Sequence, residues 1–403
     1  MAEDADARDA APPRYPELYD AFDRSSPIVA RDFDAVNDDL LAHCPVAHTA
    51  RRDEEGYWLV SRFEDVRLLG QSRAFTTAHG LHPGRLERWA PEEVEDPLHT
   101  PLRRVIDINL SPRVVQAARP ALEAAAHRLI DAFIEDGRVD AVAQYGRRLA
   151  GEAFSIVTGM PTEDTPDIVA WFHARFLGAT AEERQAGTDR LLDYHRAFLQ
   201  RRRAEGPRGD LIDAVIAFEH EGFDDEAKAG CITQLSEGGL LTTSNVLGAA
   251  LLYLAGRPDD RRLMIAEPER LPRALEEWLR TASSVFAVGR CATEAVEVGG
   301  VAIAPGDWVY MNFAAANRDP RKFTDPEQIA LDRWPNPHVA FGFGRHRCPG
   351  SHLARQSLLV GIEAFLARIP DFTTAPGYVP SYEVAGLRTL RSLHLRFDAG
   401  GVR

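Results

Sequence analysis

The most informative segment of this chain reads Phe341-Gly342-Phe343-Gly344-Arg345-His346-Arg347-Cys348-Pro349-Gly350. Its glycines carry no Cβ, so the backbone can approach a flat molecule closely. Pro349 suits the first position of a helix, and residues 351–359 read as that helix. Cys348 therefore lies in an open loop at the positive end of a helix dipole, beside basic side chains, and we expect these charges to lower the pKa of its thiol. The segment predicts a thiolate that binds a metal.

A single cysteine in a chain of this size is most often a small buried hydrophobe, so the surrounding pattern decides the interpretation. The segment strongly resembles the haem-ligand loop of the cytochrome P-450 family across its Phe, Gly, His and Cys positions. The resemblance implies that Cys348 is the axial iron ligand and a catalytic residue, that the cofactor is haem b, and that Phe341, Gly342 and Gly350 bind it. It also implies the P-450 fold, mainly α with a small β part. In that fold the haem lies between a long central helix and the cysteine loop with its helix.

Four cationic side chains are candidates to hold the two haem carboxylates. His99 and Arg103 match the family's HxxxR helix, Arg290 matches a family arginine, and His346 lies in the cysteine loop. Each alone would read as a solvated surface residue. A haem, however, brings two propionates that need partners, and a planar guanidinium suits a carboxylate held in fixed geometry. The resemblance implies that all four bind the cofactor.

Glu277 and Arg280 lie three residues apart, which places them on one helical face where an ion pair can form. Taken alone, such a pair is usually an exposed one of small energetic value. In the family that this chain resembles, the same ExxR spacing forms a buried network with the segment before the haem loop, here residues 332–338. The resemblance therefore implies a structural role for Glu277, Arg280 and Arg333.

The composition is that of a globular protein without a membrane segment. The chain has 403 residues, 45% of them hydrophobic, and contains no run of about 18 apolar residues that could span a bilayer. The charged N-terminus lacks the apolar core of a signal peptide, which predicts a cytoplasmic protein. We expect residues 1–16 to be a disordered tail and residues 17–403 to form one large domain.

Charge and motifs limit the possible partners. Forty-seven Lys and Arg against 61 Asp and Glu give a net charge of −14, which argues against nucleic acid. No CxxC spacing indicates a zinc site, and no Walker A or GxGxxG motif indicates a fused nucleotide or flavin domain. The resemblance implies a monomer that takes electrons from a separate ferredoxin or flavodoxin with its reductase, and that uses O₂ and a small-molecule substrate.

Apolar spacing predicts several helices and a few short strands. The predicted helices include residues 163–176, 181–203, 210–218, 224–255 and 272–282. One strand is predicted at residues 57–61. A hairpin is predicted between residues 301–303 and 308–311, across a turn at 305–307.

The long helix from residue 224 contains the sequence Gly238-Gly239-Leu240-Leu241-Thr242. Two glycines weaken a helix by about 1 kcal/mol each, and a threonine hydroxyl can bond to a carbonyl of the preceding turn. The stretch resembles the family's oxygen-binding motif, which implies a catalytic role for Thr242. Without the cysteine loop, close packing of another helix against the glycines would be the simpler interpretation. The family has an acid where this chain has Leu241, so proton delivery must follow another route, because leucine performs no acid–base chemistry.

The same helix predicts substrate contacts. At about 100° per residue, Gln234, Gly238 and Leu241 lie within about 60° of each other, with Glu237 on the flank of that stripe. Two polar side chains there favour a substrate with hydrogen-bond donors, although an outward-facing Glu237 is the plain alternative. Weaker candidates for substrate contact are His79, Val285, Phe286 and Leu387.

Three functions follow from these observations. The first is a haem-thiolate monooxygenase that hydroxylates a small, polar, natural-product-like molecule in bacterial secondary metabolism. The second uses the same fold for oxidative C–C or C–N coupling or desaturation, for example of a cyclic dipeptide or an aromatic amide, without oxygen insertion. The third is a haem-thiolate sensor or carrier without turnover.

Overall fold

The structure is a computed structural model that describes residues 12–23, 26–49, 56–81, 88–384 and 386–399. The α-helices in these ranges are Pro27–Arg31 (α1), Phe33–His43 (α2), Phe63–Gln71 (α3), His99–Asn109 (α4), Pro112–Asp131 (α5), Arg147–Thr158 (α6), Thr165–Leu177 (α7), Ala181–Glu205 (α8), Leu211–Ala217 (α9), Asp225–Gly256 (α10), Pro258–Ala266 (α11), Leu271–Ala282 (α12), Phe313–Ala316 (α13) and Ser351–Arg368 (α14). The strands are Val46–Thr49 (β1), Tyr57–Val60 (β2), Phe75–Thr76 (β3), Arg138–Asp140 (β4), Ala287–Ala292 (β5), Val296–Val298 (β6), Val301–Ile303 (β7), Trp308–Asn312 (β8), Phe372–Thr374 (β9), Tyr382–Val384 (β10), Arg388–Leu390 (β11) and His394–Phe397 (β12). The predicted fold class, mainly α with a small β part, is confirmed.

Helix α10 is the centre of the molecule. Its N-terminus is capped by the Asp224 carboxylate, which accepts a hydrogen bond from the N–H of Ala227. The helix is apolar on nearly all sides and buried along most of its length, and it packs against α6, α7, α8, α12 and α14. A helix that is hydrophobic all round belongs in a core. The described residues accordingly pack around α10 as a single domain.

Within the described part of the chain, α10 is also the one helix whose length and composition would suit a membrane span. Of its most apolar 18-residue window, 61% is buried inside the protein. The apolarity of this helix is therefore accounted for by core packing.

The largest sheet has the strand order β1-β2-β8-β5-β3. Strands β2 and β8 run parallel, and the other neighbours are antiparallel. Every residue of β8 is buried, which is typical of a strand with neighbours on both sides. The strand predicted at residues 57–61 is confirmed as β2.

The predicted hairpin between residues 301–303 and 308–311 is wrong. Strand β7 pairs instead with β6, with Val298 opposite Val301. The connecting residues Gly299 and Gly300 have φ values of 56° and 83°, and a two-residue hairpin turn with positive φ at both positions matches the twist of its strands. The apolar strand β8 is taken up by the larger sheet instead.

The predicted N-terminal tail falls mostly outside the described residues. Of its last residues, Tyr15 is buried. The backbone N–H groups of Arg14 and Tyr15 donate to the two oxygens of Asp39, at 2.7 and 3.1 Å. These contacts connect residues 14 and 15 to α2.

Candidate active site

A cavity of about 230 Å³ lies between the middle of α10 and the loop that precedes α14. The predicted residues that line it are Arg103, Gln234, Gly238, Thr242, Val285, Arg290, Phe341, Gly342, His346, Cys348 and Gly350. They come from separated parts of the chain. The fold therefore assembles around one space the cysteine loop, three of the four predicted cations and the glycine–threonine stretch.

The cysteine loop is fixed by backbone contacts. The N–H of Cys348 donates to the carbonyl of Phe341 at 2.9 Å. Gly344 has a φ of 76°, and a Cβ there would overlap the carbonyl oxygen of Gly70 in α3. The loop consequently packs against α3 through bare backbone, which only glycine permits at this position.

The structure corrects one expectation about Cys348. Burial raises the pKa of its thiol above the usual value, and this effect outweighs the hydrogen bond from the N–H of Gly350 and the nearby arginines, which lower the pKa. The sequence argument counted the helix dipole and the basic neighbours but not the desolvation. A bound metal would overcome this desolvation, because a coordinated thiol is deprotonated outright.

Two arginines face the cavity without a full set of carboxylate partners. Arg290 is 6% exposed, and burial lowers its pKa to about 10. Among the described residues it has no ion pair, and one of its Nη atoms donates to the carbonyl of Gly289. Arg103 donates to the carbonyl of Arg347 at 2.8 Å, and its buried Nε atom has no partner within the described ranges.

Two histidine rings lie against each other near the same wall of the cavity. The ring centroids of His99 and His346 are 4.3 Å apart. Burial, together with the charges of His346 and Arg103, lowers the pKa of His99 to about 4. Burial also lowers the pKa of His346, although Glu95 opposes this shift. Burial therefore favours the neutral form of both rings.

These groups fit the carboxylates of a haem. Nε2 of His99 and Nδ1 of His346 are buried and have no hydrogen-bond partner in the part of the chain that the structure describes. A buried polar atom without a partner costs about 1–3 kcal/mol, and two such atoms beside two arginines favour a bound polyanion. His99, Arg103, Arg290 and His346 would hold the propionates, and Cys348 would bind the iron.

Glu277 lies at the centre of a hydrogen-bond network around the segment that precedes the cysteine loop. Its carboxylate accepts two hydrogen bonds from Arg280, each at 2.8 Å, and both side chains are 0% exposed. It also accepts from Nε of Arg333 at 3.0 Å and from Asn336 at 3.0 Å. Arg280 in turn donates to the carbonyls of Asn317, Pro326 and Gln328. The network connects α12 to the segment that leads into the cysteine loop.

The two adjacent glycines of α10 have different surroundings. A Cβ on Gly238 would meet open space in the cavity, whereas a Cβ on Gly239 would overlap the ring of Phe154 in α6. The hydroxyl of Thr242 donates to the carbonyl of Gly238 at 2.8 Å. Gly238 therefore leaves room in the cavity, and Gly239 permits close helix packing. The expected space for the reaction is thus found at Gly238, and the expected helix packing is found at Gly239.

This difference predicts a matched pair of variants. Gly238→Ala is expected to keep or raise the thermal stability, because alanine is the better helix former by about 1 kcal/mol. Gly239→Ala is expected to lower the apparent melting temperature clearly, because Phe154 must move in a packed core. Thermal unfolding of the two variants followed by circular dichroism measures both effects. Equal melting temperatures would contradict the assignment.

Not every predicted substrate residue lines this cavity. Leu241 and Leu387 line a second, smaller cavity of about 30 Å³, together with Arg147 and His173. Phe286 belongs to a separate core cluster near α2, and His79 is exposed. Glu237 is half-buried and is not among the lining residues.

The placement of Leu241 is corrected by the shape of the lined surface. The residues of α10 that face the larger cavity are Gln234, Leu235, Gly238, Gly239, Thr242, Thr243 and Val246. These residues form two rows with a spacing of four, 234-238-242-246 and 235-239-243. The surface that α10 presents to the cavity is therefore an oblique i, i+4 ridge and does not run parallel to the helix axis. Leu241 falls off that ridge.

Sequence reasoning missed Glu92, the acidic residue among the described residues that line the cavity. Its carboxylate accepts a hydrogen bond from Nε2 of Gln234 at 2.9 Å, and both residues line the cavity. Glu92 precedes Gln234 by 142 positions and stands in the acidic run Pro91-Glu92-Glu93-Val94-Glu95. No local signal separates it from a solvated charge.

Comparison with known proteins agrees with this geometry. Residues 159–369 match the family model described as cytochrome P-450. The nocardicin C N-oxygenase of Nocardia uniformis subsp. tsuyamanensis is 34% identical over 370 residues, which are 87% of this chain and 92% of the relative. The mycinamicin IV hydroxylase/epoxidase of Micromonospora griseorubida is 33% identical over 344 residues, 81% of this chain and 85% of the relative.

The solved structures give the same result. The structure of PksS, the cytochrome P-450 of the bacillaene polyketide synthase of Bacillus subtilis 168, superposes with a TM-score of 0.84 at 26% identity. The superposition covers 94% of this chain and 100% of that structure. From the family match, the relatives and the shared fold, the chain belongs to the cytochrome P-450 family, whose members are oxidoreductases that bind haem through a cysteine thiolate.

Proposed function

We propose that this protein hydroxylates a small, polar, natural-product-like molecule in bacterial secondary metabolism. The observation that carries the proposal is the larger cavity, which joins the cysteine loop on one side to the Glu92–Gln234 hydrogen bond on the other. Most of the remaining lining is apolar, which suits the carbon skeleton of a drug-sized ligand. Two relatives are, by their names, an N-oxygenase of nocardicin C and a hydroxylase/epoxidase of mycinamicin IV.

Thr242 and Ser284 shape the turn of α10 that faces the cysteine loop across the larger cavity. A bound haem with a thiolate ligand supplies O₂ activation. Thr242 holds its hydroxyl against the carbonyl of Gly238, at the point where α10 has open space beside it. The hydroxyl of Ser284 donates to the carbonyl of Thr242 at 3.3 Å and fixes this turn from the other side. We assign to Thr242 the positioning of a water molecule that carries protons.

The reductant would bind on the outer side of the cysteine loop. Arg104, Arg345 and Arg347 are exposed, and Arg103, next to Arg104 in α4, donates to the carbonyls of Arg345 and Arg347. Exposed cations near the cysteine loop would suit an acidic ferredoxin or flavodoxin. Arg345 also pairs with Glu95 at 2.8 Å, which orients its side chain. We propose a cytoplasmic monomer that is served by a separate reductase system.

A spin-state titration tests the proposed substrate class. Ferric protein is titrated with cyclic dipeptides and aromatic amides in one series, and with terpenes and fatty acids in another. The proposal expects a tight low-to-high-spin shift in the polar series, followed by an oxygenated product when surrogate redox partners and NADPH are added. A shift confined to the apolar series would contradict it. A haem protein that binds ligands but consumes no NADPH would be a sensor or carrier.

Leu241 allows a second candidate function, oxidative coupling or desaturation without oxygen insertion. The residue is 8% exposed, and it lines the smaller cavity with Arg147, His173 and Glu383. The position before Thr242 therefore supplies no carboxylate to the larger cavity. Hydroxylation, coupling and desaturation need the same protons to cleave O₂, so the product separates them and the proton supply does not.

The products distinguish the two functions. Turnover with surrogate redox partners under ¹⁸O₂ is expected to give a hydroxylated product that carries labelled oxygen. A coupling or desaturating enzyme would instead give a product that has lost hydrogen and carries no label. Leu241→Asp, with Leu241→Asn as the matched control, is expected to change the yield of product per NADPH by less than about twofold, because residue 241 lines the smaller cavity and not the larger one. A clear gain confined to Leu241→Asp would contradict that placement.

A further inference from the structure

Gln234 is a buried amide with one half of its hydrogen-bonding capacity unused. The residue is 8% exposed, and it lines the larger cavity. Its Nε2 atom donates to Oε2 of Glu92 at 2.9 Å. Its Oε1 atom is buried and has no hydrogen-bond partner among the residues that the structure describes.

The carboxylate of Glu92 fixes which end of the amide is free. An ionised carboxylate only accepts hydrogen bonds. The NH₂ group of Gln234 must therefore face Glu92, and the carbonyl oxygen is turned away from it. An unsatisfied buried acceptor of this kind costs about 1–3 kcal/mol, and a donor on a bound molecule would remove that cost.

The segment that carries Glu92 is held firmly in place. The carboxylate of Glu93 accepts hydrogen bonds from the backbone N–H groups of Leu81 and Trp89, at 3.0 and 2.8 Å. The Trp89 ring packs against Gly230 of α10 and lies 4.2 Å from the guanidinium of Arg175 in α7. A binding group is most effective when such supporting contacts orient it before the ligand arrives.

The charge of Glu92 is already partly balanced. Arg290 is the buried cation whose pKa the Glu92 carboxylate raises against the effect of burial. A neutral N–H donor would consequently complete this site without adding another charge. A protonated amine would add a positive charge near Arg290 and Arg103, both of which line the same cavity.

We propose that the Glu92–Gln234 pair is the recognition site for an amide N–H of the substrate, with Oε1 of Gln234 as the acceptor. The inference rests on the proposed function, because it names the group by which the substrate is recognised. The competing explanation is structural: the hydrogen bond would merely connect the 88–95 segment to α10. The two explanations differ in whether the pair distinguishes ligands.

A matched pair of compounds tests the proposal. N-benzylbenzamide and benzyl benzoate have nearly the same shape, but the amide N–H is replaced by an ester oxygen. Dissociation constants are measured on the ferric holoprotein by the Soret shift and by calorimetry, without reductant. One added hydrogen bond contributes about 1 kcal/mol, so we expect the amide to bind about fivefold to tenfold more tightly than the ester.

Variants assign this preference to the pair. Gln234→Met keeps the unbranched shape and removes the acceptor, and it is expected to bring the two affinities within about twofold of each other. Glu92→Gln frees the Gln234 amide to turn over, and it is expected to reduce the preference. Leu251→Met, a volume-conserving change at a buried residue of α10 outside the lining of both cavities, is the control and is expected to keep the preference.

Three results would overturn the proposal. They are no preference for the amide in the unmodified protein, no binding of either compound, and an unchanged preference in Gln234→Met. Benzyltrimethylammonium and neopentylbenzene have the same shape and provide a second arm, and a stronger preference for the ammonium would show that a cation is the ligand instead. Binding is measured without turnover, so a failure to hydroxylate would disprove the proposed function and leave this test valid.

Discussion

Cys348→Ser is expected to abolish the red-shifted Soret band of the reduced, CO-treated protein and to reduce NADPH-dependent product formation to background. The band reports a thiolate on the iron, and electron donation by that thiolate favours O–O cleavage. A serine hydroxyl stays protonated and donates far less electron density. The loop itself should persist, because its fixing hydrogen bond from residue 348 to Phe341 is made by the backbone.

The control for this experiment is Cys44→Ser. Cys44 is half-buried, and its thiol donates to the carbonyl of Val46, within the N-terminal part of the chain. This variant is expected to keep the red-shifted band and the activity. Retention of the band in Cys348→Ser, or its loss in both variants, would refute Cys348 as the iron ligand.

Glu277→Gln is expected to destabilise the folded protein strongly, although the change is isosteric. The carboxylate accepts from Arg280, Arg333, Asn336 and the backbone N–H of Ala330. The NH₂ group of a glutamine would face N–H groups that also donate, so these hydrogen bonds would be lost. The charges of Arg280 and Arg333 would also lose their counterion. Breaking a buried pair in this way costs about 3–5 kcal/mol.

Urea unfolding followed by far-ultraviolet circular dichroism and haem absorbance measures that loss. The neighbouring residue gives the matched control, because Glu276 pairs with Arg355 and His338 but has a side chain that is 26% exposed. Glu276→Gln is expected to shift the unfolding midpoint much less. Equal shifts for the two variants would contradict a special role for the buried network.

The sequence was most informative where chemistry requires fixed residue types. A metal thiolate, the ExxR pair and the cations around two carboxylates each depend on a few side chains at set spacings. The structure places Cys348 and Arg290 on one cavity, and it buries Glu277 and Arg280 as a pair. The bounds of α10 were predicted to within one residue at each end, since its apolar run has a capping Asp224 and ends near Gly256.

What the sequence did not reveal depends on tertiary contacts. The pairing of β7 with β6 reflects competition for β8 by a larger sheet. The absence of Leu241 from the larger cavity depends on the angle at which α10 crosses it. Glu92 meets Gln234 across 142 positions, and local periodicity carries no information about such a contact.

The adjacent glycines of α10 have a consequence for how this enzyme can diversify. Only Gly239 supports the contact with α6, whereas the surroundings of Gly238 are open. The space available to a substrate therefore depends on residue 238, and the stability of the fold depends on its neighbour, residue 239. Substitutions of increasing size at position 238 alone would reduce the volume of the larger cavity in steps, while the packing of α10 against α6 is kept.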